Sequence, residues 1–153
     1  MQADVVFRTI HQNERDQLLA LFHHLNPNDL PLPEQSVVDE IWSQMMTNPV
    51  IDIFVAETDG QLVATCTLIL VPNLTRGGRP YAFIENVVTH ADYRQRGIGT
   101  GLLKHILDHC WERDCYKVML LTGRHDEATH RFYEKAGFSK DTKTGFTAYR
   151  LDH

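Results

Sequence analysis

The 153-residue chain predicts a mixed α/β domain built on one central sheet. Strand-like runs alternate along it with segments whose apolar residues recur at helical spacing. Asp59-Gly60 separates two β-branched runs as a two-residue hairpin turn should. A loop containing glycines and arginines leads from a strand-like run into an amphipathic helix, an arrangement suited to binding an anion at a helix start. Hydrophobic residues at 42% and charged ones at 23% make an ordinary globular mixture, and the length places residues 1–153 in a single domain.

Taken in order, "DVVFRTI" (4–10) is β-branched and aromatic enough for a first strand. Leu18, Leu21, Phe22 and Leu25 then mark a helix, which the prolines of "PNDLPLPEQ" end. Helical spacing resumes through Val37, Val38, Ile41, Trp42 and Met45, so the pair reads as a wall or lid. Core packing is the favoured role of Trp42, Met45 and Met46, with an acceptor pocket as the alternative. "IDIFVAET" and "QLVATCTLILV" form the hairpin, "PNLTRGGRP" a loop, and "YAFIENVVT" the next strand. In the helix after it, Ile98, Leu102, Ile106 and Cys110 fall four apart, with Leu103, Leu107 and Trp111 widening the stripe. "YKVMLLT" reads as a buried strand, "DEATHRFYEKA" as a helix stopped by Gly137, and "GFTAYRL" as a final strand.

Composition narrows the partners. Fifteen Lys and Arg against twenty Asp and Glu give a net charge of -5, which disfavours nonspecific nucleic-acid binding and mildly favours a cationic small substrate. The longest apolar run, at 62–71, is about half the roughly 20 residues that span a bilayer, and the N-terminus lacks a basic-then-apolar leader, so a cytoplasmic location without a membrane partner is expected. Cys66, Cys110 and Cys115 are odd in number and lack metal-ligand spacing, which points to reduced thiols. His105 and His109, an i,i+4 pair, are expected on a solvated helix face rather than on a metal. Cys66 reads as a small core residue rather than a nucleophile.

The stretch "YRQRGIGTGLL" fits neither a dinucleotide fingerprint, since Leu102 stands where the last glycine is needed, nor a P-loop, since no G-x-x-x-x-G-K-[ST] run occurs. Two readings stay open. In one, the free N–H groups of the helix start bind a pyrophosphate, with Gly97 and Gly99 admitting it and Arg94 and Arg96 adding forked donors; in the other, this is a flexible connection with solvated arginines.

"RQRGIG" (94–99), preceded by "IENVVTHADY" and followed about thirty residues later by "HRFYEKAGF" (130–138), resembles the paired motifs of the GNAT superfamily of acetyl-CoA-dependent N-acetyltransferases. The resemblance implies a mostly antiparallel central sheet flanked by helices, with two splayed central strands, "FIENVV" and "KVMLLT". It implies acetyl-CoA as cosubstrate and no metal. The diphosphate would lie on Arg94, Gln95, Arg96, Gly97, Ile98, Gly99 and Thr100, and the backbone of Val87 and Val88 would serve the pantetheine arm or the developing oxyanion. The acceptor would be a primary amine of a small molecule or peptide, attacking the thioester directly. A homodimer is compatible with this family.

Such a transfer needs a base, because an amine like that of Lys, with a pKa of about 10.4, is protonated at neutral pH. Glu85 is the candidate, set amid apolar strand residues where a buried carboxylate needs a partner; the alternative is a structural Glu. Tyr133 matches the family's tyrosine acid, its phenol protonated at neutral pH; the alternative is a packing aromatic. The family's common Asn before this tyrosine is missing from "GRHDEATHRFY", where either Arg124, His125 or Asp126 stands in or none does. The competing function is a catalytically silent acyl-CoA-binding module.

Overall fold

The computed structural model describes residues 4–151. Its elements run β1 (Val6–Thr9), a 3-10 turn (Gln12–Glu14), α1 (Arg15–Leu25), α2 (Gln35–Thr47), β2 (Ile51–Thr58), β3 (Gln61–Val71), the single turn α3 (Thr75–Gly78), β4 (Tyr81–Thr89), a second 3-10 turn (Ala91–Tyr93), α4 (Ile98–Glu112), β5 (Val118–Leu120) and α5 (Glu127–Ala136). One sheet holds the strands in the order β1-β2-β3-β4-β5. The first four pair antiparallel, and β5 joins β4 in parallel after the crossover through α4.

The hairpin forms at Asp59 and Gly60, whose φ values of 53° and 72° are both positive, as a type I′ turn requires. Side-chain alternation then buries β2 on both faces. Phe54 and Ala56 join Cys66, Leu68, Ile84, Leu102 and Ile106 under α4, while Ile53 and Val55 join Leu18, Leu21 and Trp42 under α1 and α2. Met45 and Met46 pack against this second cluster, so the core reading of α2's large side chains holds. Trp42 Nε1 donates to Gln12 O at 3.0 Å. Val37 and Ile41 are exposed, since only one edge of α2 meets the sheet.

On α4, Ile98, Leu102, Leu103, Ile106, Leu107 and Cys110 are buried as the spacing predicts, whereas Trp111 is half exposed. His105 and His109 are not on a solvated face. Both are half-buried, with the Phe54 ring meeting His109 edge-on at 4.9 Å and His105 at 5.8 Å. Burial, and then Arg113, hold the His109 imidazole below its ordinary range. The aromatic core beneath α4 is wide enough to take imidazoles as packing groups.

Three departures concern the sheet. β1 is shorter than the predicted 4–10. β5 covers only Val118–Leu120 and is half-buried, because it is an edge strand. The predicted final strand at 145–151 does not form: residues 139–151 are exposed and carry no strand assignment. Gly145 lies against the Leu121 side chain, just beyond β5.

The feature that positions the site is a bulge in β4. Thr65 pairs with Val88 and Thr67 with Glu85, so Asn86 and Val87 stand opposite Cys66 alone. Asn86 takes φ 53°, left-handed backbone that Asn tolerates better than most residues. The bulge bends β4, and its pairing with β5 stops at Ile84 and Leu120. Beyond that point the two strands part, as the splayed-strand expectation requires.

Candidate active site

A cavity of about 750 Å3 opens where β4 and β5 diverge. One wall is β4 from Ile84 to Thr89, and the facing wall is Leu121 to Arg124 beyond β5. Its floor is the loop and first turn of α4, and Phe132 and Tyr133 of α5 close one side. His24 and Leu25, at the end of α1, complete it.

The floor is the start of helix α4. Gly97 is the N-cap of α4 with φ 78°, a conformation that strains any residue with a Cβ. The first turn is closed by Gly101 N donating to Gly97 O at 2.9 Å, so the N–H groups of Ile98, Gly99 and Thr100 precede the intrahelical ladder. Those donors and the positive end of the helix dipole suit a diphosphate.

The two arginines behave differently from the sequence expectation. Arg94 lines the cavity, but its Nε donates to Thr89 O at 3.1 Å and its Nη2 to His24 O at 3.3 Å. It is a strut between β4, the loop and α1. Arg96 is outside the lining and lies over the Tyr93 ring, 5.1 Å from its centroid. Gly99 also differs: a Cβ there would stand 2.9 Å from Phe132 Cε2 and 3.1 Å from Thr89 Oγ1. Its smallness lets Phe132 of α5 and Thr89 of β4 close on α4 at the cavity wall.

Tyr133 is half-buried, tilted against Phe132 at 4.9 Å between ring centroids and edge-on to Phe138 at 6.4 Å. Burial pushes its phenol up to about 12, with the nearby Cys66 and Glu85 adding to the effect and Arg124 opposing it. The hydroxyl therefore keeps its proton at neutral pH. Glu85 lines the same cavity from the last position before the bulge. The burial expected of it is not found; it is exposed, because the bulge turns this part of β4 away from β5. Cys66, opposite the bulge, is wholly buried and its thiol is raised by that burial, which fits a core residue and not a nucleophile.

Asp126 is occupied elsewhere. It caps α5, accepting from Thr129 N at 3.0 Å and Thr129 Oγ1 at 2.8 Å, and it also accepts from Arg124 Nε at 3.0 Å. These bonds, the Thr129 hydroxyl first, lower its carboxyl to about 2. His130 Nε2 lies 3.1 Å from Arg124 O.

Of the sequence-nominated residues, Glu85, Val87, Val88, Arg94, Gln95, Gly97, Ile98, Gly99, Thr100 and Tyr133 line this one cavity, and Arg96 does not. The sequence reading missed His24, which stacks on His90 at 4.2 Å and accepts from Ala91 N at 3.4 Å. Burial, then His90 and Arg94, hold His24 below its ordinary range, so it serves as a neutral wall. Nothing local announces a contact across 67 residues. Among the described residues, no group of three or more His, Cys, Asp or Glu side chains is arranged to hold a metal, and no helix is long and apolar enough to cross a membrane.

Residues 16–138 match the model of the Acetyltransferase (GNAT) family. A glucosamine 6-phosphate N-acetyltransferase of Trypanosoma brucei brucei is 30% identical over 135 residues, covering 88% of this chain and 89% of that protein. A solved structure from Agrobacterium tumefaciens str. C58, whose description goes no further than acetyltransferase, is 46% identical with a TM-score of 0.89, covering 95% of this chain and 99% of that one. The glucosamine-6-phosphate N-acetyltransferase of Arabidopsis thaliana, at 20% identity and a TM-score of 0.79 over 96% of this chain and 99% of that one, shares the fold.

Proposed function

The chain belongs to the GNAT acetyltransferase family, whose cosubstrate is acetyl-CoA, and from that premise we propose that it acetylates the primary amine of a small phosphorylated amino sugar, with Glu85 as general base and Tyr133 as general acid. One observation carries the reading: an exposed carboxylate beside the bulge in β4 and a protonated phenol on α5 line one cavity, next to a helix start whose N–H groups suit a diphosphate.

Acetyl-CoA supplies the thioester. The amino end of the acceptor enters beside Glu85, which takes its proton directly or through one water. The freed lone pair attacks the carbonyl carbon; as the new N–C bond forms and the C–S bond breaks, the sulfur takes the proton that Tyr133 has kept, and the second proton of the nitrogen passes through solvent to the tyrosinate, which leaves a neutral amide and restores the phenol. Backbone N–H groups at Val87 and Val88 stabilise the charge that develops on the carbonyl oxygen. No covalent bond to the protein is needed, in keeping with the buried Cys66.

The acceptor class is supported by the Trypanosoma brucei brucei relative, which is named for glucosamine 6-phosphate. Arg124 lines the cavity with its side chain 74% exposed, and it is the cation best placed for an acceptor's phosphate. Coenzyme A release measured with glucosamine 6-phosphate, glucosamine, an aminoglycoside and spermidine tests the proposal. The phosphorylated amino sugar is expected to have the highest kcat/KM. A preference for spermidine or the aminoglycoside would remove the acceptor assignment, and binding of acetyl-CoA without turnover on any of the four would favour the silent acyl-CoA-binding module.

A further inference from the structure

The connection from β4 to α4 is held by two histidines. His24, in the last turn of α1, accepts from Ala91 N through Nδ1 at 3.4 Å. His90 accepts from Asp92 N through Nδ1 at 3.1 Å and so caps the 3-10 turn Ala91–Tyr93. Its own amide donates to Val63 O at 2.8 Å, which pins the start of that turn to β3. Two successive amides of the turn thus end on imidazole nitrogens, and the two rings stack at 4.2 Å. Tyr93 meets His90 edge-on at 5.5 Å and carries the Arg96 guanidinium over its ring. Arg94 ties the same segment to α1 by donating to His24 O, and the chain then runs on to Gly97, the N-cap of α4.

A ring nitrogen that accepts from an N–H has no proton of its own, so each imidazole does this work only in its neutral form, with its proton on Nε2. Protonation would set an N–H at Nδ1 against the amide of Ala91 or Asp92. The surroundings of His24 oppose that charge: His90 and Arg94 face it from the connection and His23 from its own helix, with Asp92 pulling the other way. On the reading that the cofactor's diphosphate sits against the start of α4, we propose that His24 and His90 are positioning residues for that seat, which they hold only as neutral imidazoles, so that protons and acetyl-CoA compete for the enzyme without sharing a site. Protonating either ring frees its amide, parts the stack and releases the segment that carries Arg94 and leads into Gly97. The closed connection favours the neutral rings, so their contribution to affinity is present above about pH 6.5, the ordinary histidine value, and is lost as pH falls below it. One imidazole can remove at most about tenfold in affinity between about pH 7.5 and 5.5.

Calorimetry with acetyl-CoA over that range reads the effect in wild type, in His24→Asn and His90→Asn, and in the protein with both changes. The Asn carbonyl oxygen hangs from Cγ as Nδ1 does and accepts an N–H at every pH. The cofactor's own phosphate titration, near pH 6, is common to all four proteins and cancels between them. Each single Asn variant is expected to lose several-fold less affinity on acidification than wild type, whatever value it starts from, and the double variant least of all. His24→Leu, which offers no acceptor, should start weaker than His24→Asn at about pH 7.5. Superimposable profiles for wild type and the double variant overturn the proton competition while leaving the diphosphate seat in place. Unchanged affinity in Gly97→Val would instead move the diphosphate off the start of α4 and take the positioning role with it. Should the histidine variants fail to fold, NMR of the wild-type ring protons decides: by reciprocity, acetyl-CoA is expected to lower the titration midpoints of His24 and His90. Midpoints raised by the cofactor would make the rings counter-ions of its phosphates, the opposite device, and would overturn the proposal.

Discussion

Two side chains carry the proposed chemistry, and each makes a separable prediction. Tyr133 holds a phenol that burial pushes up to about 12, so the donor form persists across the neutral range. Tyr133→Phe is expected to lower kcat by about 100-fold, within the usual span for a positioned acid, while calorimetry shows acetyl-CoA affinity nearly unchanged. An unaltered kcat at saturating substrates would return Tyr133 to a packing role beside Phe132. Glu85 must take a proton from an ammonium, a task that becomes harder as the free amine becomes scarce. Glu85→Gln is therefore expected to lose most activity at the acidic end of a kcat/KM profile, and a uniform loss across pH would argue for substrate positioning instead.

At the scale of elements, α4 is gripped by two close approaches that depend on glycine. Gly99 meets Phe132 and Thr89, and Gly101 meets Phe7, where a Cβ would stand 2.6 Å from Cζ. Alanine at either position gains about 1 kcal/mol of helix propensity. Overpacking costs about 1 to 3 kcal/mol, so both variants should unfold at lower temperature. Only Gly99→Ala should also weaken acetyl-CoA binding, since Phe132 lines the cavity and precedes Tyr133 in α5; equal effects on affinity would deny Gly99 its special place. The cap of α5 adds a pH dependence. The Asp126 carboxyl falls to about 2 in the folded protein, below the roughly 3.9 of an unfolded Asp. Its stabilisation is present above about pH 4 and is lost as pH falls through about 2, diluted by solvent because the group is exposed. Thermal melts between pH 5 and 2 should flatten in Asp126→Asn, which keeps an acceptor for Thr129 without the titrating charge.

Across the whole molecule, a charge network fastens the sheet edge opposite β5. Arg8 in β1 donates through Nη2 to Glu14 at 2.7 Å and to Glu57 in β2 at 2.7 Å, and the Glu14 side chain is only 12% exposed. The hydrogen bond from Arg8 holds the Glu14 carboxyl below its usual range. Arg8→Ala strands that carboxylate, and a loss of about 2 kcal/mol is expected, less than for a fully buried pair. Urea unfolding should show a lower midpoint at unchanged slope. Acetyl-CoA affinity should stay constant, because the network lies outside the cavity lining.

Much of this was legible in one dimension because it depends on neighbours. The hairpin at Asp59-Gly60, the buried stripe of α4 from Ile98 to Cys110, the C-cap at Gly137 and the helix start after Gly97 follow from backbone sterics and from periods of 2 and 3.6 residues. Ten of the site residues that the family resemblance nominated line one cavity. Tertiary structure alone decided that Asn86 and Val87 share one partner, that Arg94 braces α1, that Gly99 yields its space to Phe132, and that His105 and His109 pack on Phe54. It also decided that residues 145–151, strand-like in sequence, carry no strand assignment. The physical reason is common to all of them: propensity is a property of a few adjacent residues, whereas a bulge, a close approach or a ladder bond exists only when a distant segment supplies its other half.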